Sequence, residues 1–458
     1  MTDSDSYESE EFEPEDADSS ERPIESVPEF ARFPSGSGFL ILGGPDTGSV
    51  VTEVPEVNQS TPMREAGTPR DRDDALSGEV PIFFAQRSAQ RYKSIPHVLV
   101  QLHVNHSEVL STGVISKLTG ATRTSHRAFF DLTPLASVKI VDPMCFLLDG
   151  GVLRLPPDPI KDRAVKNAPY LAEDPASNNW VESVIAGQRG AGANLLLSPG
   201  RALDPDTPEE SLDVACTQGD ETASHLLTGE RCALNLTIPA RWLVSDALRD
   251  RLLTQIVEQD QFDVIYVRIQ WASPGAASAQ VVDAALIDGI KELANLCQDE
   301  ERKLILPQTG MTGWLSLAFG ATGFGTGTSS GEQGFAEFAF RRRAPGATEV
   351  ERYFERQILH TVDRAVHESI ATGPEYVACT CTYCAQLVPG RVWNHELAAY
   401  HQLHAIGELT ARVQSDSARG GRHGAVRRIV RDARQYANGQ PLVDTNFPRH
   451  LETWGQAL

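Results

Sequence analysis

Short apolar runs alternate with longer mixed segments through most of the chain. Runs at 97–102, 144–149, 194–200, 233–238, 264–270, 304–310 and 322–327 read as strands. Several are almost continuously apolar, as expected of parallel strands covered on both faces. The segments between them carry a helical period. Residues 244–259 put Leu248, Leu252, Leu253 and Ile256 on one face, with Ser245 as N-cap. Residues 279–297 repeat the pattern with Val282, Ala285, Ile287, Ile290, Leu293 and Leu296. Seven or eight strand–helix units in succession predict an α/β fold of the (β/α)8 TIM-barrel type. A doubly wound open sheet is the competing arrangement. It calls for a glycine-rich phosphate loop after an early strand, and none is evident.

Composition changes the picture at the N-terminus. The chain has 458 residues and a net charge of −21, and residues 1–25 alone hold eleven carboxylates and one arginine. Such a stretch cannot bury enough apolar surface to offset its ordering entropy, so it is expected to be disordered. A run at 38–43 is a candidate short strand, and 44–80 is rich in Pro, Thr, Gly, Asp and Arg, as a linker is. The expected organisation is an acidic tail and linker over 1–80, a barrel over 81–345, and a helical subdomain over 346–458. No apolar run is long enough to span a membrane, and the acidic start is unlike a secretion signal. Seven cysteines, three of them clustered, do not make a disulfide framework. The expected location is therefore the cytoplasm. The negative balance argues against nucleic-acid binding by the whole surface and leaves room for a local basic groove.

The densest chemistry lies late in the chain. Cys379, Cys381 and Cys384 fall within six residues, on a stretch that reads as a loop. A helix predicted at 394–413 follows, carrying His395, His401 and His404. Thiolates on a bend plus an imidazole from the next element suit a closed, tetrahedral Zn²⁺ site. The alternative is three ordinary thiols in a reducing cell.

In a barrel, ligands bind at the carboxyl ends of the strands. Polar residues expected there are Asp149 with Gly150 and Gly151, Ser198 to Arg201, Asn235, Thr237, Arg268, Gln270, and Gln308 with Thr309 and Gly310. A carboxylate at Asp149, beside two glycines that admit close backbone approach, could accept hydrogen bonds from a guanine-like base; it could equally be a turn aspartate. The amides of Gln270 and Gln308 both donate and accept, which suits a heterocycle edge or the backbone of the barrel mouth. The glycine-dense loop 323–334 could cradle a phosphate through its N–H groups. Arg341, Arg342 and Arg343 follow it. A helix predicted at 424–437 sets Arg427, Arg428 and Arg431 opposite Val426, Ile429 and Val430, a local reversal of charge that suits phosphate contact or a solvated face.

Taken together these motifs resemble the tRNA-guanine transglycosylases and their DNA-modifying relatives, over roughly residues 95–415. Cys379-x-Cys381-x-x-Cys384 is similar to that family's zinc triplet, and His401-Gln402-Leu403 to its histidine stretch, with His404 as the alternative fourth ligand. The resemblance implies a Zn²⁺-bearing barrel that exchanges guanine for a deazaguanine in DNA or tRNA. Its partners would be the nucleic acid and a purine or deazapurine base, with dimerisation through the zinc region. Phe146 to Gly151 is similar to a shortened form of the family's base-contacting motif, placing Asp149, Gly150 and Gly151 at the base. Leu306 to Gly310 is similar to a late strand ending in a small-residue turn. One departure stands out. Where the family carries its aspartate nucleophile, Gly320 to Gly325 has none, and Gly325 stands at that position. Either another carboxylate replaces it, as Glu332 could by reaching in from the loop, or the chain is an inactive barrel serving as a nucleic-acid-binding or partner subunit.

Overall fold

The structure, a computed structural model, describes residues 68–87, 93, 95–271, 280–336, 350–387 and 392–458. The acidic tail, the run at 38–43 and Arg341 to Arg343 lie outside the described residues.

Eight parallel strands form the wall: β1 (Ile82–Gln86), β2 (Ser111–Lys117), β3 (Val138–Asp142), β4 (Leu196–Leu197), β5 (Cys232–Pro239), β6 (Val264–Trp271), β7 (Lys303–Leu306) and β8 (Gly323–Thr326). Their order is β3-β2-β1-β8-β7-β6-β5-β4. The two end strands meet through a parallel bridge between Ile140 and Leu195, where the Asn194 side chain accepts the Lys139 N–H at 2.6 Å. The result is the nearly closed, TIM-like barrel expected from the rhythm of the sequence. A short β9 (Phe335–Ala336) pairs with the end of β6, and β10 (Arg352–Glu355) forms a hairpin with β11 (His360–Asp363).

The predicted strands at 233–238, 264–270, 304–310 and 322–327 correspond to β5 to β8. The early ones differ. The run at 97–102 belongs to a helix, Ile95–His106, because Ile95, Val98, Leu99 and Leu102 recur at helical spacing and are all buried. The true first strands, β1 and β2, carry Gln, Ser, Thr and Gly among their apolar residues, which weakens their signal. The run at 144–149 follows β3 rather than forming it. Pro143 and a left-handed Met144 (φ 61°) end the strand, and Cys145–Asp149 is a 3-10 turn. At 194–200 only Leu196–Leu197 is strand. The helices expected at 244–259, 279–297, 394–413 and 424–437 appear as Asp246–Glu258, Ala284–Asp299, His395–Ser415 and Gly421–Asn438. Ser245 holds the N-cap position but makes no side-chain capping bond.

Alternation along the strands divides the core in two. Ile82, Phe84, Ile115, Val138, Ile140, Leu197, Ala233, Val264, Tyr266 and Ile305 fill the barrel, while the intervening residues pack outward on the helices. Continuing the same alternation to the carboxyl ends places Gln86, Lys117, Asp142, Thr237 and Arg268 inward. The interior therefore turns from apolar to polar one layer below the mouth. The helix His395–Ser415 lies against Ile95–His106 and β1 and completes the outer ring. The approach is close: a Cβ at Gly407 would sit 2.4 Å from Leu102 Cδ1.

Candidate functional site

The cysteine loop and the helix His395–Ser415 meet as the spacing predicts. Cys379 Sγ, Cys381 Sγ, Cys384 Sγ and a nitrogen of His401 all lie within 4.8 Å of one another. Cys381 and Cys384 are 3.2 Å apart, and His401 Nδ1 is 3.4 Å and 3.1 Å from them. A tetrahedral ion with thiolates at ~2.3 Å has ligand edges of roughly 3.8 Å, so a small shift brings these atoms onto one ion.

The groups around the ligands fit too. His401 Nε2 donates to the Phe354 carbonyl at 2.8 Å, which fixes the tautomer and leaves Nδ1 facing the sulfurs. Tyr353 stacks on the His401 ring at 4.2 Å, and its hydroxyl lies 3.2 Å from Cys384 Sγ. Hydrogen bonds from Cys381 and Cys384 hold the Cys379 thiol far below its ordinary range. Burial alone would pull the His401 imidazole down, but its hydrogen bonds with Cys379 and Cys381 push it up to about 10. Hydrogen bonds with Cys379 and Cys381 likewise push the Cys384 thiol well above its ordinary range, so the cluster holds protons that a metal ion would displace. His404 is buried one turn on, 3.6 Å from Glu408, and neither it nor His395 joins the group. The loop is latched to the helix Ile95–His106 by Gln101, whose amide donates to Thr382 Oγ1 at 2.7 Å.

At the barrel mouth the polar layer is a connected network. Arg268 is fully buried. It pairs with Asp142, donates to Thr237 Oγ1 and Gln308 Oε1 at 3.1 Å each, and lies 4.6 Å from the Phe146 ring centroid. Burial pulls this guanidinium down to about 9, so it stays charged at neutral pH opposite the carboxylate. Asp142 also accepts from the Tyr266 hydroxyl and the Met144 N–H.

The last strand contributes no side chain to this layer. Its inward positions are Gly323, Gly325 and, just beyond, Gly327. Ile115 fills the space at Gly325, where a Cβ would meet Ile115 Cδ1 at 2.9 Å. At Gly327 the space belongs to Glu332, whose carboxylate would lie 2.4 Å from an added Cβ. Glu332 returns from the short turn Ser330–Gln333, held by a capping box with Ser329, and is buried. Burial raises its pKa, while the positive charge of Lys117 at the end of β2 works to keep it ionised.

The other candidates are largely engaged by the protein itself. Asp149 sits on the 3-10 turn after β3, not at a strand end. Its carboxylate accepts from Arg201 Nη2 at 2.5 Å and from the Ala202 N–H at 2.9 Å. Gly150 packs near Pro159, and Gly151 faces open space. Gln270 donates to the Leu153 carbonyl at 2.8 Å, and Gln308 to that of Gly331 at 2.9 Å, so both tie loops across the mouth. Gly310 (φ 50°) starts a helix whose backbone passes so near Gln333 that a Cβ would meet its carbonyl oxygen at 2.6 Å. On the helix Gly421–Asn438, Arg428 donates to the carbonyls of Arg419 and Asp416, Arg431 pairs with Asp432, and Arg427 is exposed. Asp142 and Lys117 were not legible as site residues, because the strands that end in them were placed elsewhere; the inward alternation of Val138, Ile140 and Asp142 was their signal.

No family model matches the chain, and no curated protein matches it. Among the described residues, no helix is long and apolar enough to cross a membrane.

Proposed function

We propose that this chain is a transglycosylase-like barrel that exchanges a guanine-type base in DNA or tRNA, with Glu332 as the carboxylate at the glycosidic carbon. The observation that carries this reading is the Glu332 side chain inside the mouth, at the position that Gly327 leaves empty and within the field of Lys117. A desolvated carboxylate beside the Lys117 amine is a strong nucleophile in its ionised form, which burial opposes and Lys117 favours. Its oxygen would bond to the anomeric carbon as the bond to the base nitrogen breaks, and the departing base would take up a proton. The incoming base would reverse the step, releasing its own N–H proton and the carboxylate. Zn²⁺ is the ion proposed for Cys379, Cys381, Cys384 and His401. Four protein ligands leave it no open position, so it would brace the loop rather than take part in the exchange. The reduced cytoplasm is the proposed compartment for these thiolates.

The test is incorporation of labelled guanine into DNA and into tRNA. Activity in the wild type, lost in Glu332→Gln with folding and metal content intact, is the expected result. A second reading is favoured by the filled space at Gly325 and the pairing of Asp149 with Arg201: a barrel that binds nucleic acid or a partner subunit without reacting. No exchange by the wild type on either substrate, with binding that weakens steeply as salt rises, would establish that reading and overturn the first.

A further inference from the structure

In a chain of net charge −21, residues 117–170 carry eight lysines and arginines against five carboxylates. Two of the five are spent inside the protein, Asp142 on Arg268 and Asp149 on Arg201. The stretch covers the loops at the carboxyl ends of β2 and β3. A turn, Leu118–Gly120, follows Lys117 directly, and the helix Arg123–Asp131 comes next. A short helix from the loop after β3, Asp162–Asn167, is docked on that turn. Asn167 Nδ2 donates to the Thr119 carbonyl at 3.0 Å, and Arg163 Nη2 to that of Gly120 at 3.4 Å. Arg123 and Arg127 lie one helical turn apart on the first element. Lys161, Arg163 and Lys166 come from the second. All five are exposed, and together they make one basic strip beside the mouth.

The strip differs from the rest of the surface in two ways. Elsewhere most arginines are matched: Arg189 with Glu230, Arg241 with Asp206, Arg249 with Asp246, Arg251 with Glu209 and Arg412 with Asp416. None of the five cations pairs with a carboxylate among the described residues, although Asp158 and Asp162 lie on the same loop. The strip also has an edge. The next loop around the mouth, after β4, carries Asp204, Asp206, Glu209 and Glu210. Like charges set side by side without partners repel one another and do not help folding, which calls for an anion brought from outside.

We infer that the strip Arg123–Arg127–Lys161–Arg163–Lys166 is the surface on which the phosphate backbone of a nucleic-acid duplex lies. This rests on the reading of the mouth as a base-exchange site and adds where the nucleic acid sits. The aromatic residues of the stretch, Phe129, Phe130, Phe146 and Tyr170, are buried. The strip therefore offers charge without a platform for stacking, which suits backbone phosphates of a paired helix and not unpaired bases. Lys117 joins the strip to the mouth: it ends β2 within the field of Glu332, and the docked turn begins at the next residue.

The test is fluorescence anisotropy of the full-length, zinc-loaded chain with a labelled DNA duplex, an RNA duplex and an unstructured single strand, across a salt series. Binding of a duplex more tightly than the single strand is expected, and the tighter of the two duplexes names the substrate. The triple variant Arg127→Ala, Lys161→Ala, Lys166→Ala should bind at least about tenfold more weakly at roughly 150 mM salt and lower the salt slope by about 3. Arg427→Glu, on the helix Gly421–Asn438, should leave binding unchanged. Three results would overturn the inference: no binding of either duplex by the wild type, tighter binding of the single strand, or binding that the triple variant keeps and Arg427→Glu loses. An unaltered thermal midpoint excludes misfolding of the variants. The base-exchange assay separates the two claims. Exchange by the wild type with binding intact in the triple variant removes the strip and keeps the reaction; strip-dependent binding without exchange does the reverse.

Discussion

The thiolate centre and the barrel mouth are built in opposite ways. Three of the centre's four ligand residues come from one six-residue loop, and the fourth from the next helix. The mouth draws Lys117, Asp142, Thr237, Arg268, Gln308 and Glu332 from separate strands and a returning turn, spread over more than half of the barrel. The first arrangement crowds three sulfurs around one imidazole, a donor set that calls for a cation. The second is balanced within itself, Arg268 against Asp142 and Lys117 opposite Glu332. Local ligand sets depend on an ion to become stable; dispersed networks depend on the fold.

That contrast can be broken from either side. Replacing His401 or Cys381 by alanine should have the largest effect. Structural zinc binding is worth on the order of 10 kcal/mol near neutral pH, so elemental analysis should show loss of stoichiometric metal and the 376–415 region should lose protection from hydrogen exchange. Arg268→Met should come next. It leaves Asp142 as an uncompensated buried charge and should cost about 3–5 kcal/mol in denaturant unfolding, with metal content unchanged. Arg428→Ala should cost about 1 kcal/mol through the lost bonds to Arg419 and Asp416. Arg427→Glu, at an exposed position, should change stability by less than about 0.5 kcal/mol. If the helix Gly421–Asn438 contacts phosphates, Arg427→Glu should instead reduce the salt slope of nucleic-acid binding by about 1.

Glu332 sharpens the comparison through pH. Its pKa is raised in the folded protein above the ordinary carboxylate value of 4.5. The native state thus holds its proton longer than the unfolded chain does. The group's favourable contribution is complete below 4.5 and is lost as pH rises through the folded value. Subtracting the stability curve of Glu332→Gln from that of the wild type should show this decline on the alkaline side of 4.5. A flat difference would place Glu332 in water.

Legibility in the sequence followed the same division. Cys379, Cys381 and Cys384 could be read directly, because metal ligation constrains residue type and spacing together; the fourth ligand stayed open among His395, His401 and His404, which share one helix, and only the family resemblance favoured His401. The barrel class was legible from β5 to β8 and the helices between them, where nearly continuous apolar strands alternate with amphipathic helices. The first third was not. In His97 to Leu102 a buried helix and a buried strand share one short apolar run, and only the wider spacing from Ile95 separates them. Misplacing β1 to β3 hid Lys117 and Asp142. Asp149 drew attention as a carboxylate before two glycines, yet its partner, Arg201, lies 52 residues away, beyond any local pattern.

The wedge of Leu102 against Gly407 has a consequence for biosynthesis. The helix Ile95–His106 must wait for a cover that emerges from the ribosome some three hundred residues later. Until then β1, which lies between β2 and β8, keeps part of its outer side bare to solvent and to chaperones. The cysteine loop, tethered to Gln101 of that same helix, arrives just ahead of the cover. Capture of an ion would then set this loop beside Gln101 and guide the late helix onto the early one.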